Sequence, residues 1–481
     1  MAAKDFIVAI ELGSSKVTGI AGKKNLDGSI DVLAVVKEDS SSFIHKGVVY
    51  NIDKTALCLT NIVNKLKAQL KTEITQVYVG VGGQSIRSIR NVISRDLSAD
   101  TKVTQDMVIE LMDSNRNMKY PDLEILDAVA QEYKVDSQLQ IDPVGIQCSR
   151  LEGNFLNILE RKAFYKNLNK CFETAGINVA EMYLAPLALA DSVLTEGERR
   201  SGCALVDIGA DTTTVSVFSK NILRHLSVIP LGSNNITKDI ASLQMEESEA
   251  EKLKLKYGCA YTEIGDIDNV QLAVNAERNI ENRKFVDIVE ARMAEIVENV
   301  WYQIPSDYSD KLLGGIILTG GGSNMKNIEK AFANHTHIEK VRVAKFVTQA
   351  IHSTNADINA KNGMMNTVLG LLAKGDLNCA GKEIGASSDL FSSSEQRPTG
   401  EQRPKTPRQP SEIPTGVVLT EAEKQQAEEE ARRKREEEER HRREEEEEEE
   451  KRLAAEKKAN SPLNKFWRRV KDFGHVIIDG E

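Results

Sequence analysis

Two stretches 196 residues apart share one layout, and that layout limits what this chain can fold into more than any other feature. The first reads Ile7-Val-Ala-Ile-Glu11-Leu-Gly13-Ser14-Ser15-Lys16-Val17-Thr18-Gly19. The second reads Ala204-Leu-Val-Asp207-Ile-Gly209-Ala210-Asp211-Thr212-Thr213-Thr214-Val215. In each, an apolar strand carries one acid, turns at glycine and small residues, and leaves as a second strand. Either one alone fits an ordinary β-turn. Two at matching spacing predict a chain made of two related halves.

Such a turn suits a phosphate. Glycine and serine let backbone N–H groups converge on one concavity, which holds an anion. Gly13, Ser14, Ser15 and Lys16 supply these donors in the first half, and Gly209, Ala210, Thr212 and Thr213 in the second. Glu11 and Asp207, each just before its turn, are the candidate catalytic and metal residues. Mg²⁺ keeps several waters and takes few carboxylates, so one acid from each half suits it.

A third motif, Ile316-Ile-Leu-Thr319-Gly320-Gly321-Gly322-Ser323-Asn324, runs a buried strand into three glycines. Gly320, Gly321, Gly322 and Asn324 would let backbone approach a flat ligand closely. A fourth, Glu249-Ala-Glu251-Lys252-Leu253-Lys254, has helical composition. Glu251 and Lys254 share one face and suit a ribose, or form a solvated ion pair.

Up to about residue 380 the chain reads as α/β. Apolar runs at 7–10, 77–81, 204–208 and 316–318 predict strands, and several end at glycine. Leu57, Leu59, Ile62, Val63 and Leu66 predict a helix over 54–70. Ile288, Val289, Met293, Ile296, Val297 and Val300 predict another over 285–304. Six scattered cysteines with no C-x-x-C pair fit a reduced protein without a disulfide framework or a zinc site. A net charge of −10 leaves no basic footprint for nucleic acid. No apolar run suggests a signal peptide or a membrane span.

Beyond 380 the character changes. Residues 381–414 hold five of the eleven prolines and read as a disordered linker. Residues 421–460 carry 17 acidic and 12 basic side chains without an apolar heptad, the pattern of a solvated spacer. Apolar residues then return. Ser461-Pro462 is a helix-start signal. Leu463, Phe466, Trp467, Val470 and Phe473 follow on one helical face, with Lys465, Arg468, Arg469 and Lys471 on others. A basic amphipathic helix with Trp and Phe on its apolar side fits an anionic membrane surface. Docking on a protein is the alternative.

Together these motifs resemble the actin-like ATPase superfamily. Glu11 to Val17 looks like its first phosphate loop, Leu205 to Thr214 its second, and Thr319 to Asn324 its adenosine loop. Within it the chain is similar to the bacterial FtsA cell-division family. Val103-Thr-Gln-Asp106, Gln131-Glu132-Tyr133 and Asp142-Pro143-Val-Gly145 resemble that family's small subdomain. Glu181-Met-Tyr-Leu-Ala-Pro186-Leu-Ala resembles its connecting helix, and Glu290-Ala-Arg292-Met-Ala-Glu295-Ile the helix that receives the FtsZ tail.

The resemblance implies an α/β, actin-like (ribonuclease-H-like) fold of two domains and four subdomains. They are 1–85 with 161–200, the inserted 86–160, 201–240 with 311–380, and 241–310. A linker at 381–420, a Glu/Arg-rich spacer at 421–460 and a membrane-targeting helix at 461–481 complete it. It implies ATP and Mg²⁺ as cofactors, with weak hydrolysis at most. As partners it implies the FtsZ C-terminal tail at Arg292, further copies of the chain in filaments, later divisome membrane proteins and an anionic lipid surface. The family usually has Asp where this chain has Glu11, so the carboxylate stands about 1.5 Å further out, one C–C bond. An actin-like pilus-assembly protein shares the same loops. A small-molecule kinase would need a further catalytic acid and has no use for the tail. A DnaK-type chaperone would need a β-rich domain after 380.

Overall fold

A computed structural model describes residues 5–263, 270–275 and 278–383. The expectations for 421–460 and 461–481, with Leu463, Phe466, Trp467, Val470 and Phe473, and most of that for 381–420, lie outside the described residues.

The first half is built on a sheet of six strands. Their order is Val179–Leu184, Val77–Val81, Ile7–Leu12, Lys16–Lys24, Ile30–Asp39 and Ile351–His352. The first three run parallel, and Ile7–Leu12, Lys16–Lys24 and Ile30–Asp39 form an antiparallel meander. Val77–Val81 is buried throughout, as a strand covered on both faces must be. The second half repeats the order with Val341–Val343, Gly315–Thr319, Cys203–Ile208, Thr213–Ser219 and Ile222–Ile229. Register repeats too. Glu11 pairs with Thr18, and Asp207 with Thr214. This is the actin-like fold.

The predicted helices run Ile52–Leu70 and Asn282–Gln303. Asn51 caps the first by accepting the Lys54 N–H at 2.9 Å, and Leu59, Ile62, Val63 and Leu66 face its core. The second buries Phe285, Val289, Met293, Ile296, Val297 and Val300 in a separate core. The segment read as a connecting helix is helical only from Ala185. Val179–Leu184 is a strand, and Pro186 sits in the first turn of Ala185–Val193. That helix packs against Asn366–Lys374, and the pair joins the two halves.

A small lobe leaves the first half at Arg87–Lys102. It continues through the helix Gln105–Arg116 and the strands Leu123–Val135, Gln138–Gln140 and Gln147–Arg161. It has its own core around Val103, Leu111, Tyr133, Leu151 and Phe155. Its attachment was not legible in the sequence. Arg87 pairs with Ser227, so the lobe's strands extend the second half's sheet. The buried Arg224 guanidinium donates to Gln131 Oε1 at 3.2 Å and Glu132 Oε1 at 2.8 Å. Among the described residues all six cysteines are free, and five are buried.

Candidate functional site

The two matched turns close in the same way. The Gly13 N–H donates to Lys16 O at 3.0 Å, and the Gly209 N–H to Thr212 O at 2.8 Å. A Cβ on Gly13 would lie 2.8 Å from Lys16 O, and one on Gly209 2.9 Å from Thr212 O, so neither turn closes around a side chain. Among the described residues, the N–H groups of Ser14 and Ser15 find no acceptor within the protein, nor do those of Ala210, Asp211 and Thr212. Donors left unspent at a tight turn are what an anion needs.

Glu11 and Asp207 occupy equivalent register positions beside these turns. Burial pushes the Glu11 carboxyl up to about 8, and the charge of Asp207 pushes the same way; Lys16, Lys37 and a hydrogen bond from Thr367 oppose it. Burial alone raises Asp207 to about 6. Two carboxyls destabilised as anions and close enough to repel each other would be relieved by a divalent cation. The donors are all oxygen, which selects a hard ion. Among the described residues no cluster of three acid, histidine or cysteine ligands exists. The pair therefore fits Mg²⁺ that draws its remaining ligands from water and phosphate. Burial, and then the charge of Lys37, lower the Lys16 ammonium.

The third motif forms a strand, Gly315–Thr319, and a short 3-10 turn, Gly321–Asn324. Its glycines do different things. Gly320 has φ +84, and a Cβ there would sit 2.3 Å from Asp207 Oδ1. A Cβ on Gly322 would strike Ile208 Cγ2 at 2.3 Å. Gly321 is exposed, and a Cβ there would meet nothing nearer than Met364 Cγ at 3.9 Å. The protein's own packing demands two of the glycines and leaves the third facing open space. Asn324 steadies the turn by donating to Asn362 O at 2.8 Å and Gly321 O at 3.2 Å.

Three expectations change here. Thr213 is fully buried and gives its hydroxyl to Leu231 O at 2.9 Å, so it does not face a phosphate. Its place opposite Ile208 in the ladder turns it inward. Lys254 is neither solvated nor free for a ribose. It is 7% exposed and donates to Ser233 O at 3.1 Å and Thr237 Oγ1 at 2.8 Å, with Glu251 at 2.7 Å. Glu251 keeps a partly exposed carboxylate. Arg292 is committed inside the protein. It forms a two-point pair with Asp239 and a further pair with Glu295, which ties Asn282–Gln303 to Ser233–Ala241. More than two turns earlier, Arg283 and Lys284 are exposed.

Sequence reasoning missed the turn at Lys46 and Gly47, which reaches both phosphate turns, and Thr367, whose hydroxyl faces Glu11. Gly47 lies at the turn between the strands Ile44–His45 and Val48–Val49, and no local sequence signal shows where that turn points.

The family model "Cell division protein FtsA" matches residues 204–370, and "SHS2 domain inserted in FTSA" matches 83–159. The chain is 31% identical over 355 residues to the cell division protein FtsA of Porphyromonas gingivalis, covering 72% of this chain and 74% of that one. It is 32% identical over 332 residues to that of Neisseria meningitidis, covering 67% and 80%. With that of Escherichia coli K12 it shares 28% over 387 residues, covering 77% and 90%. Among solved structures, a PilM-PilN type IV pilus biogenesis complex aligns with TM-score 0.53 at 14% identity, covering 76% of this chain and 97% of that one. That likeness is one of fold.

Proposed function

The chain belongs to the FtsA family of cell-division proteins, and from that premise we propose that it binds ATP with Mg²⁺ between its halves, polymerises on the cytoplasmic face of the membrane and tethers FtsZ filaments there for later divisome proteins to join. The observation that carries the nucleotide reading is the pair of turns in equivalent register, each with unspent N–H donors and an adjacent half-buried carboxyl. Glu11 and Asp207 would hold the magnesium's waters, and the ion would neutralise the phosphates between the turns. Gly320 to Asn324 would receive adenosine, and Glu251 the ribose. Asp207→Ala is expected to weaken Mg·ATP binding roughly tenfold to hundredfold, a usual loss when a metal's outer ligand is removed. Calorimetry with and without Mg²⁺ checks it: equal affinity for Mg·ATP in parent and variant counts against the site. Hydrolysis is expected to be slow, because Glu11 places its carboxylate differently from the family's usual Asp.

Among the described residues no helix is long and apolar enough to cross a membrane. Attachment is assigned instead to residues 461–481, from their sequence pattern. Burying Leu463, Phe466, Trp467, Val470 and Phe473 supplies several kcal/mol, at about 1.5–3 per large side chain, less the cost of ordering the helix. Binding should strengthen when a filament presents many tails together. Sedimentation with anionic vesicles tests this, with ATP and an FtsZ tail peptide varied one at a time. Trp467→Glu is expected to leave the protein in the supernatant while ATP binding is unchanged. A variant that still pellets fully would put the anchor elsewhere.

For the FtsZ tail, the supporting feature is the exposed start of Asn282–Gln303, where Arg283 and Lys284 stand more than two turns before Arg292. Arg292→Glu is expected to weaken tail-peptide binding, and it also sets Glu against Asp239 and lowers stability. Arg283→Glu with Lys284→Glu separates the two effects, since neither residue meets Asp239. Tail affinity unchanged in both variants would remove this surface from the reading.

A further inference from the structure

The hairpin Ile44–His45 and Val48–Val49 turns at Lys46 and Gly47, with φ +52 and +72. Positive φ at both central residues is the two-residue hairpin turn whose twist matches its strands. Glycine suits the second position doubly, because a Cβ on Gly47 would lie 2.8 Å from Gly83 Cα. Lysine at φ +52 is a sparsely populated conformation that persists only where its surroundings fix it. Here both of its backbone groups are tied down. The Gln84 N–H donates to Lys46 O at 3.0 Å. The Lys46 N–H donates to Asp211 Oδ2 at 3.2 Å. The next N–H, that of Gly47, donates to Ser14 Oγ at 2.8 Å.

Ser14 belongs to the first phosphate turn and Asp211 to the second. Two consecutive N–H groups of one tight turn therefore hold both. Asp211 is oriented for this by Asn234, whose Nδ2 donates to its other oxygen at 2.8 Å. Ser14 is buried, and with its oxygen accepting from Gly47 its single proton is left to donate elsewhere. We propose that the Lys46–Gly47 turn is a positioning element that latches the two phosphate turns across the cleft, aims the Ser14 hydroxyl at the bound phosphate and slows release of the nucleotide. This rests on the nucleotide reading above. The Lys46–Asp211 bond joins the first half to the second next to the site, and its acceptor is charged, which makes it one of the stronger kinds. Nucleotide that draws the halves together shortens the same gap the latch spans.

The test uses the full-length protein, a fluorescent ATP analogue with Mg²⁺, and stopped-flow displacement. Asp211→Ala is expected to release the analogue about tenfold faster, the effect of losing one hydrogen bond to a charged group, with the association rate within about twofold of the parent. Amide exchange of residues 44–49 gives a second readout. In the parent the Lys46 amide should slow further on adding Mg·ATP, and in Asp211→Ala it should be fast in both states. Gly47→Ala keeps both N–H groups but strains the turn, through φ +72 and a Cβ 2.8 Å from Gly83 Cα, and is expected to displace both bonds, so the double variant should release no faster than Gly47→Ala alone. If Gly47→Ala does not fold, release and exchange in Asp211→Ala decide. Release at the parental rate in Asp211→Ala, with Lys46 still protected, overturns the latch and leaves the nucleotide reading standing. A folded parent that binds no analogue overturns both.

Discussion

Gly321→Val should abolish binding of adenine nucleotides, by roughly a hundredfold or more, and leave the protein folded. The structure separates these two effects with unusual clarity. Valine at Gly320 would need φ +84 and would drive its Cβ into Asp207 Oδ1, so it would disturb Asp207 and the backbone together. At Gly322 it would overlap Ile208, and overpacking of that kind costs about 1–3 kcal/mol. Gly321 has neither constraint. Its φ lies outside the positive region, and the space at its Cβ is open to 3.9 Å. A Cβ there therefore makes only an ordinary contact, with Met364, and the branched side chain would occupy the space proposed for the purine ring. A loss of about 3 kcal/mol corresponds to the stated hundredfold. Calorimetry with Mg·ATP, beside a thermal melt, checks both halves of the expectation. A variant that melts with the parent and binds with parental affinity would move adenosine away from this turn.

How much of this site was legible in the sequence depends on whether the signal was local. The four buried strands announced themselves, since Ile7–Leu12, Val77–Val81, Cys203–Ile208 and Gly315–Thr319 are apolar runs of the kind that two-faced burial produces. The paired turns were legible because their layout occurs twice, and Glu11 and Asp207 do fall in equivalent register. Thr213 was misjudged by one residue of alternation: it begins the outgoing strand and points inward. Lys254 looked solvated because the helix carries many charges, yet the groups that bury it, Ser233 and Thr237, lie 21 and 17 residues away. Arg292 meets Asp239 across 53 residues, and Arg224 meets Gln131 and Glu132 across 93 and 92. No periodicity encodes such partners. They follow from how finished elements pack, which is also why the docking of the small lobe on the second half came only from the structure.

Glu160→Gln should remove a pH-dependent weakness from the fold, and the sign follows from where the carboxyl sits. Glu160 ends the strand that returns from the small lobe, is 3% exposed, and has an Oε2 with no hydrogen-bond partner among the described residues. It lines a cavity of about 20 Å³ behind the first phosphate turn, with Leu12, Gly47, Gly80 and Phe164 among its neighbours. Burial raises the carboxyl from 4.5 to about 7. Below about 4.5 it is protonated in folded and unfolded chains alike and does not affect stability. Between 4.5 and 7 the unfolded chain gives up a proton that the folded chain keeps, so stability falls as pH rises. Above 7 the whole penalty is present, about 3 kcal/mol. Glutamine cannot ionise, so it escapes this term, though its buried amide still lacks a partner and costs about 1 kcal/mol of its own. The variant should then be level with the parent or slightly weaker at pH 5, and more stable by about 1–2 kcal/mol at pH 8. Urea unfolding at the two pH values measures it. A parent-to-variant difference that stays constant from pH 5 to pH 8 would mean that Glu160 keeps an ordinary carboxyl, and that its environment is wetter than its burial implies.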